Sequence, residues 1–225
     1  MKGCEVKNIT YNDCKEWLLF KHYAHRVPSI SYAFGLYISG KMVGVITFGM
    51  PASPSLIKGL FGGLYMNSIL ELNRLCVNDG LPKNTLSWFV GQSLKMLPKP
   101  MAIVSYADMA YNHHGYIYQA TNWIYTGLSS KHKEYIISGA ENKHSRHIND
   151  VGGVKMKIED IKELYGDKII ESERSRKHRY VYLLGSKTQR RKMKANLKYS
   201  QCPYPKGENK RYDASYVPNV QLTIF

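Results

Sequence analysis

The sequence predicts a mixed α/β (α+β) fold with a mixed, largely antiparallel central sheet and a basic C-terminal extension. Three observations carry that expectation. Strand and helix signals alternate over the first two thirds of the chain. An antiparallel hairpin stands near the start, in "SYAFGLYISGKMVGVITFG". The last third changes in kind and becomes rich in Lys and Arg. These divide the chain into a catalytic-type domain over 1–170 and an extension over 171–225, packed on the same domain.

The elements follow in order. "EVKNIT" alternates as a strand, and "NDCKEWLLFKHYAH" is a helix with Asn12 or Asp13 as cap and Trp17, Leu18 and Tyr23 on its apolar side. The hairpin turns at Ser39-Gly40-Lys41. "MPASPSLIKGLFGGLYMN" has the Pro, Gly and Ser content of an exposed loop. "SILELNRLCV" returns to strand character, "NDGLPKN" turns the chain, and "TLSWFVGQSLKML" is a helix capped by Asn84 or Thr85 and stopped by Pro98 and Pro100. "AIVSYAD" is a strand, "HGYIYQATN" a short helix, and "WIYTGL" with "EYIISG" a closing pair of strands. Behind them "RYVYLLG" reads as a strand and "GSKTQRRKMK" as a short helix.

Composition narrows the function. The chain has 225 residues and a formal net charge of +15, more than solubility requires, so the expected partner is anionic, with nucleic acid ahead of a membrane surface. No run of about 20 apolar residues could span a bilayer, and the N-terminus turns polar too soon for a signal peptide, which predicts a cytoplasmic protein. Cys4, Cys14, Cys76 and Cys202 are scattered without a CxxC pair, as free thiols are. Among the cations after 171, Arg174, Arg176, Lys177, Arg179, Lys187, Arg190, Arg191, Lys192 and Lys194 are the candidate phosphate contacts, followed by Lys198, Lys206, Lys210 and Arg211. Tyrosines at 180, 182, 199, 204, 212 and 216 interleave with them, as on a surface that stacks bases and neutralises phosphates. A solvated basic tail is the plainer alternative.

"SYADMAYNHHGYIYQATNWIYTG", over 105–127, is too polar for an ordinary core strand. Tyr and Trp join a flat apolar face to a polar tip that needs a partner, so the segment is either a polar core or the wall of a site. Ser105 and Asp108 fall at a strand end, where α/β sheets place ligand groups; helix capping is the alternative for Asp108. Arg74, inside an apolar strand, needs an anion, or a salt bridge to Glu71 or Asp108. His22 and Tyr23 end the first helix, and a lone helical histidine is more often structural than catalytic. Tyr111, Tyr116 and Tyr118 can stack on a base, donate a proton or simply pack. His22 and Asp108 are the candidate metal ligands; the adjacent His113 and His114 point different ways on a regular element.

"EWLLFKHYAHRVPSISYAFGLY", "ELNRLCVNDGLPKNTLSWFVGQSLK" and "SYADMAYNHHGYIYQATNWIYTG" resemble the phage Mom family over roughly residues 12–130. The resemblance implies a GNAT-like acyltransferase fold and conversion of the N6 amino group of adenine in DNA to a carbamoylmethyl-amino group, protecting phage DNA from host restriction endonucleases. It implies site roles for His22, Tyr23, Arg74, Ser105, Asp108, Tyr116 and Tyr118. It also implies a small-molecule donor, acetyl-CoA or another two-carbon compound, or a step using a metal such as iron; a homodimer stays open. The donor's phosphates would meet Gly80, Lys83, Asn84 and Thr85 in "NDGLPKNT", which lacks the second glycine of the usual GNAT loop. The product, with a methylene on N6, is not that of plain acetyl transfer.

The chemistry implied needs a base for a poorly nucleophilic amine, Asp108 or His22, and extrusion of the adenine from the duplex. Tyr116 or Tyr118 with Trp123 would hold the ring, and Arg74 would neutralise charge. A GNAT-type N-acetyltransferase acting on a protein, RNA or small-molecule amine is the alternative, separated by its product. A catalytically silent DNA-binding module is a third reading, against which the polar segment at 105–127 stands.

Overall fold

In the computed structural model, residues 3–138, 150–151, 154–155 and 157–207 are described. Strand β1 (Cys4–Asn8) leads into helix α1 (Tyr11–Glu16). Its cap is Thr10 rather than Asn12 or Asp13: the Thr10 hydroxyl accepts from the Asp13 amide, and the Asp13 carboxylate accepts from the Thr10 amide. The helix then widens into a π turn at Trp17–Lys21 and stops, so His22 and Tyr23 stand just past its end. Trp17 and Leu18 are buried against Ala33, Val45 and Cys76.

The hairpin of β2 (Tyr32–Ile38) and β3 (Lys41–Gly49) turns through Ser39 and Gly40, both at positive φ, the mirror-type turn that matches strand twist. The segment expected as a loop contains helix α2 (Pro54–Phe61). Ser53 caps the Leu56 amide, Pro54 opens the first turn, and Gly62, at φ 63°, ends it. Leu56, Leu60 and Phe61 lie on one side and are buried.

Next come β4 (Ile69–Val77), α3 (Thr85–Met96), β5 (Met101–Asp108), the short helix α4 (Tyr116–Ala120) and β6 (Ile124–Leu128). A second compact unit spans Ser129–Arg176. It contains β7 (Lys133–Ile137), the two-residue strands β8 (Asp150–Val151) and β9 (Val154–Lys155), α5 (Ile158–Tyr165) and β10 (Ile169–Glu173). Strand β7 pairs antiparallel with β10, Ile137 opposite Ile169. The expected pairing of "WIYTGL" with "EYIISG" is therefore not made. Residues 208–225, with Lys210, Arg211, Tyr212 and Tyr216, lie outside the described residues.

The chain then returns as β11 (Lys177–Leu184) and α6 (Lys187–Asn196), in the same compact unit as Met1–Leu128. The boundary expected at residue 170 falls inside the second unit. Strand β11 is a core strand: the seven-stranded sheet runs β1-β2-β3-β4-β5-β11-β6, and Tyr180 and Val181 are fully buried at its middle. Every pairing is antiparallel except β4 with β5. One core, with α3 and α4, holds Phe89, Leu94, Tyr118 and Tyr180; a second, with α2 and α6, holds Leu60, Phe61, Val181 and Met193.

Candidate active site

The parallel ladder between β4 and β5 covers only Ile69–Glu71 against Ala102–Val104. Past that point the strands stop pairing, and backbone groups left unpaired need other partners. Ser105 supplies one: its Oγ, 2.8 Å from the Leu72 carbonyl oxygen, donates to it. Ser105 Oγ is also 2.7 Å from the Tyr118 hydroxyl. One hydroxyl proton cannot serve both, so with Leu72 accepting from Ser105 the tyrosine donates to the serine. Both side chains are buried, and a cavity of about 640 Å³ opens beside them. Its wall includes His22, Tyr23, Arg74, Asp108, Tyr116 and Tyr118 from the expected set. Ser105 supports this wall from behind.

Asp108 ends β5 and is 8% exposed. Its Oδ1 accepts from the Ala110 amide at 3.0 Å, which realises the capping role, and its Oδ2 lies 2.7 Å from Lys177 Nζ. Arg74 is held by backbone oxygens: Nε donates to Arg26 at 3.2 Å and Nη1 to Asn73 at 2.6 Å. Its expected ion pair with Glu71 or Asp108 is not formed. Burial and the charge of Arg26 pull Arg74 below the ordinary guanidinium range. Glu71, also in the wall, is a carboxyl that the sequence offered only as a partner for Arg74. Burial pushes it above the usual carboxylate range, offset in part by Arg74 and Lys177. Its signal was an acid set between two leucines of a strand, Leu70 and Leu72.

An aromatic cluster stands here, of which His22, Tyr23 and His113 line the cavity. His22 stacks on Tyr23 with centroids 4.4 Å apart, and Tyr23 meets Tyr111 at 4.5 Å and His113 edge-on at 5.6 Å. His22 Nδ1 accepts the Ala24 amide at 3.1 Å, so the neutral ring carries its proton on Nε2. Burial, helped by the Arg74 charge, holds His22 down to about 3. Tyr23 is pushed up to about 12 by burial and by Asp108. At neutral pH His22 is therefore a hydrogen-bond donor and a weak base. Tyr118 has its hydroxyl engaged, and Trp123, 1% exposed in the core, is absent from the wall, so neither is placed to clasp a base. Tyr116 is exposed and donates to the Gly207 carbonyl.

The loop before α3 contributes Asn78, Gly80 and Asn84 to the wall, and the first turn of α3 contributes Ser87. Gly80 and Asn84 both take positive φ, and the Asn84 side chain does not cap the helix. A helix start lacking a side-chain cap fits an anionic group of a donor such as a CoA thioester. Lys83 is exposed outside the wall, and Thr85 is buried beneath it. A metal does not fit: the Ala24 amide engages His22 Nδ1, and Lys177 and Ala110 engage the Asp108 carboxylate. Among the described residues no cluster of three His, Cys, Asp or Glu side chains is arranged to hold one.

The cations expected on a DNA surface divide. Lys187, Arg190, Arg191, Lys192 and Lys194 are exposed on α6, whose buried Met193 anchors it. Lys177 faces Asp108 in the site instead. Arg179, 9% exposed, is turned inward: Nε donates to Thr126 Oγ1 at 2.9 Å, Nη2 to the Thr126 carbonyl at 3.0 Å, and the guanidinium lies 3.5 Å from the Tyr199 ring centroid. Arg176 donates to the Ser129 carbonyl, and Arg174 is exposed, both within the second unit. Alternation along β11 explains the inward pair, since a strand turns half its side chains to each face. No helix among the described residues is long and apolar enough to cross a membrane.

Comparisons with known proteins follow the same pattern. The chain is 27% identical over 131 residues to "Methylcarbamoylase mom" of Escherichia phage Mu, covering 56% of this chain and about half, 54%, of that relative. Among solved structures it is similar to an N-acetyltransferase from Staphylococcus aureus, at TM-score 0.43 and 12% identity over 81% of this chain and 99% of the other. Another is Arabidopsis thaliana NAA60 in complex with acetyl-CoA, at TM-score 0.44 and 9% identity over 80% and 98%. The model of the Mom protein family matches residues 3–206, nearly all of the described chain, and the protein belongs to that family.

Proposed function

We propose that this protein modifies phage DNA by placing a carbamoylmethyl group on the N6 amino group of adenine, in the cytoplasm of the host, so that host restriction endonucleases no longer cut. The observation that supports this best is the cavity at the β4–β5 opening: it brings an acid, a guanidinium and a ring cluster together in a member of a family whose phage Mu relative is named a methylcarbamoylase. The adenine leaves the duplex and enters beside Tyr23, an aromatic ring of the cavity wall whose face suits a planar base. Asp108, held by Lys177, takes a proton from N6 as the nitrogen attacks the donor's methylene carbon; the N6–H bond breaks, an N6–C bond forms, and the donor's leaving group departs with its electron pair. His22, neutral, donates from Nε2 to charge that develops in the site. Cations on α6 hold the phosphate backbone without reading sequence.

Digestion to nucleosides of DNA from bacteria expressing the protein tests the reading. Mass spectrometry should find a deoxyadenosine heavier by a carbamoylmethyl group, absent with Asp108→Asn. Unchanged nucleosides from abundant, folded protein would overturn it. The α3 start favours a second reading, N-acetylation of an amine from an acyl-CoA, which acetyl transfer without DNA would reveal.

A further inference from the structure

We infer that Glu71 and Arg74 together form a two-point recognition site for a primary carboxamide on the group being transferred, an inference that rests on the methylcarbamoyl reading above. The register of β3 against β4 slips at this point: Phe48 faces Leu72 and Thr47 faces Arg74, so Asn73 is an extra residue, a β-bulge. Asn73 is pinned on both sides. Thr47 Oγ1 donates to its Oδ1 at 2.6 Å, and its Nδ2 donates to the Ser29 carbonyl at 2.8 Å. In a regular strand, residues three apart point to opposite faces. One inserted residue cancels that, and here Leu72 and Leu75 join the same core. By the same shift Glu71 and Arg74 come to one side, and both line the cavity.

A guanidinium and a carboxylate so placed would ordinarily pair. These do not: ion pairs are seen at Lys7–Glu5, Lys133–Glu171 and Lys177–Asp108, and none of them joins Glu71 to Arg74. The bulge bonds carry part of the reason, because Arg74 is tethered through Nε and Nη1 to the Arg26 and Asn73 carbonyls, leaving Nη2 as the nitrogen not committed to the chain. The wall thus offers a fixed donor and a separate acceptor, a carboxylate that accepts the Ala52 amide and has further lone pairs to give. A primary carboxamide is the matching ligand, with a carbonyl oxygen to accept from Arg74 and an NH2 to donate to Glu71. A carboxylate in the same place sets an anion against Glu71, and an ester has no N–H to give. Discrimination therefore comes from a repulsive element as well as an attractive one. Burial, which raises Glu71, is what an acid without a full cationic partner shows.

Acetamide and acetate, one shape and two charges, are the probes. Nuclear magnetic resonance of the full chain at neutral pH follows the Arg74 Nε–H and the Glu71 side-chain carboxyl carbon during titration with each. Acetamide should shift both, with acetate at least about tenfold weaker, the scale of one buried group left unpaired. Glu71→Gln, which keeps the shape and removes the charge, should close that gap with unchanged thermal unfolding. Equal binding of the probes by the native chain, preference for acetate, no shift with either, or a gap that survives Glu71→Gln would each overturn the site. The outcome is separable from that of the parent reading. Unmodified deoxyadenosine in expressing cells alongside intact amide preference would remove the DNA reaction and leave the carboxamide site standing. Wild-type levels of carbamoylmethylated adenine from Glu71→Gln would do the reverse.

Discussion

Lys177 stands directly opposite Asp108 in the antiparallel register of β11 and β5, and its Nζ lies 2.7 Å from the Asp108 carboxylate. A basic strand that the sequence places on a DNA surface thus delivers one cation to the acid of the site. Replacing Lys177 with Gln should lower deoxyadenosine modification at least about tenfold, the cost of removing one oriented charge from the proposed base. Duplex affinity, read by fluorescence anisotropy, should keep its salt slope, since this lysine does not reach phosphate. A reduced slope with normal modification would return Lys177 to the DNA surface.

His22 sets an acid limit on stability. Its folded value of about 3 lies below the ordinary 6.5, so the folded state binds fewer protons than the unfolded one between those limits. The stability it contributes is complete above pH 6.5 and is lost as pH falls from there towards 3, at up to about 1.4 kcal/mol per pH unit. Urea unfolding across this range should show a shallower decline for His22→Gln than for the native chain. Parallel declines would mean that His22 charges freely in the fold.

The Ser105 hydroxyl joins Leu72 and Tyr118 where the parallel strands part. Ser105→Ala leaves a buried carbonyl and a buried phenol without this partner and should cost about 1–3 kcal/mol, whereas Tyr118→Phe removes one partner cleanly and should cost about 1 kcal/mol. Chemical denaturation of the two variants checks the order. A larger loss from Tyr118→Phe would point to a role for its ring that the hydroxyl does not carry.

Charge on α6 and charge at Arg179 should separate cleanly. Changing Lys187, Arg190, Arg191 and Lys194 to Gln should reduce the slope of log affinity against log salt by about 0.9 for each phosphate no longer neutralised, with little change in stability. Arg179→Gln should leave the slope alone and destabilise the chain by about 1–3 kcal/mol, because its bonds to Thr126 and its stacking on Tyr199 are internal. Salt titrations with a short duplex, paired with unfolding curves, test both halves.

Local signals made the hairpin, α3, β5 and α4 legible: a Ser-Gly turn, paired prolines after a helix, and the polar tyrosine run. Helix α2 escaped because its Pro and Gly content marks the ends, at Pro54 and Gly62, while Leu56 and Leu60 between them carry the helical period. The partners of β6 and β7 depend on strands far along the chain, which no local pattern encodes. Site residues His22, Tyr23, Arg74, Asp108 and Tyr118 could be named from their chemistry, and the structure gathers them around one cavity. Glu71 could be named only as a partner for Arg74, since its place on the same side as that arginine comes from a bulge at Asn73 that exists only when β3 and β4 pair. Arg179 and Lys177 show the converse limit, because a run of cations conceals which of them alternate inward.

The late return of β11 has a consequence for synthesis. Residues 177–184 fill the gap between β5 and β6, so a nascent chain emerging from the ribosome holds both of those strands with open edges until most of the polypeptide has been made. Open edges invite pairing with other chains, and long-range closure is slow. Neither the Lys177–Asp108 ion pair nor a complete cavity wall exists before that moment, so the protein gains its cavity only when the last core strand has been translated, and a ribosome stalled before residue 177 leaves an aggregation-prone fragment without it.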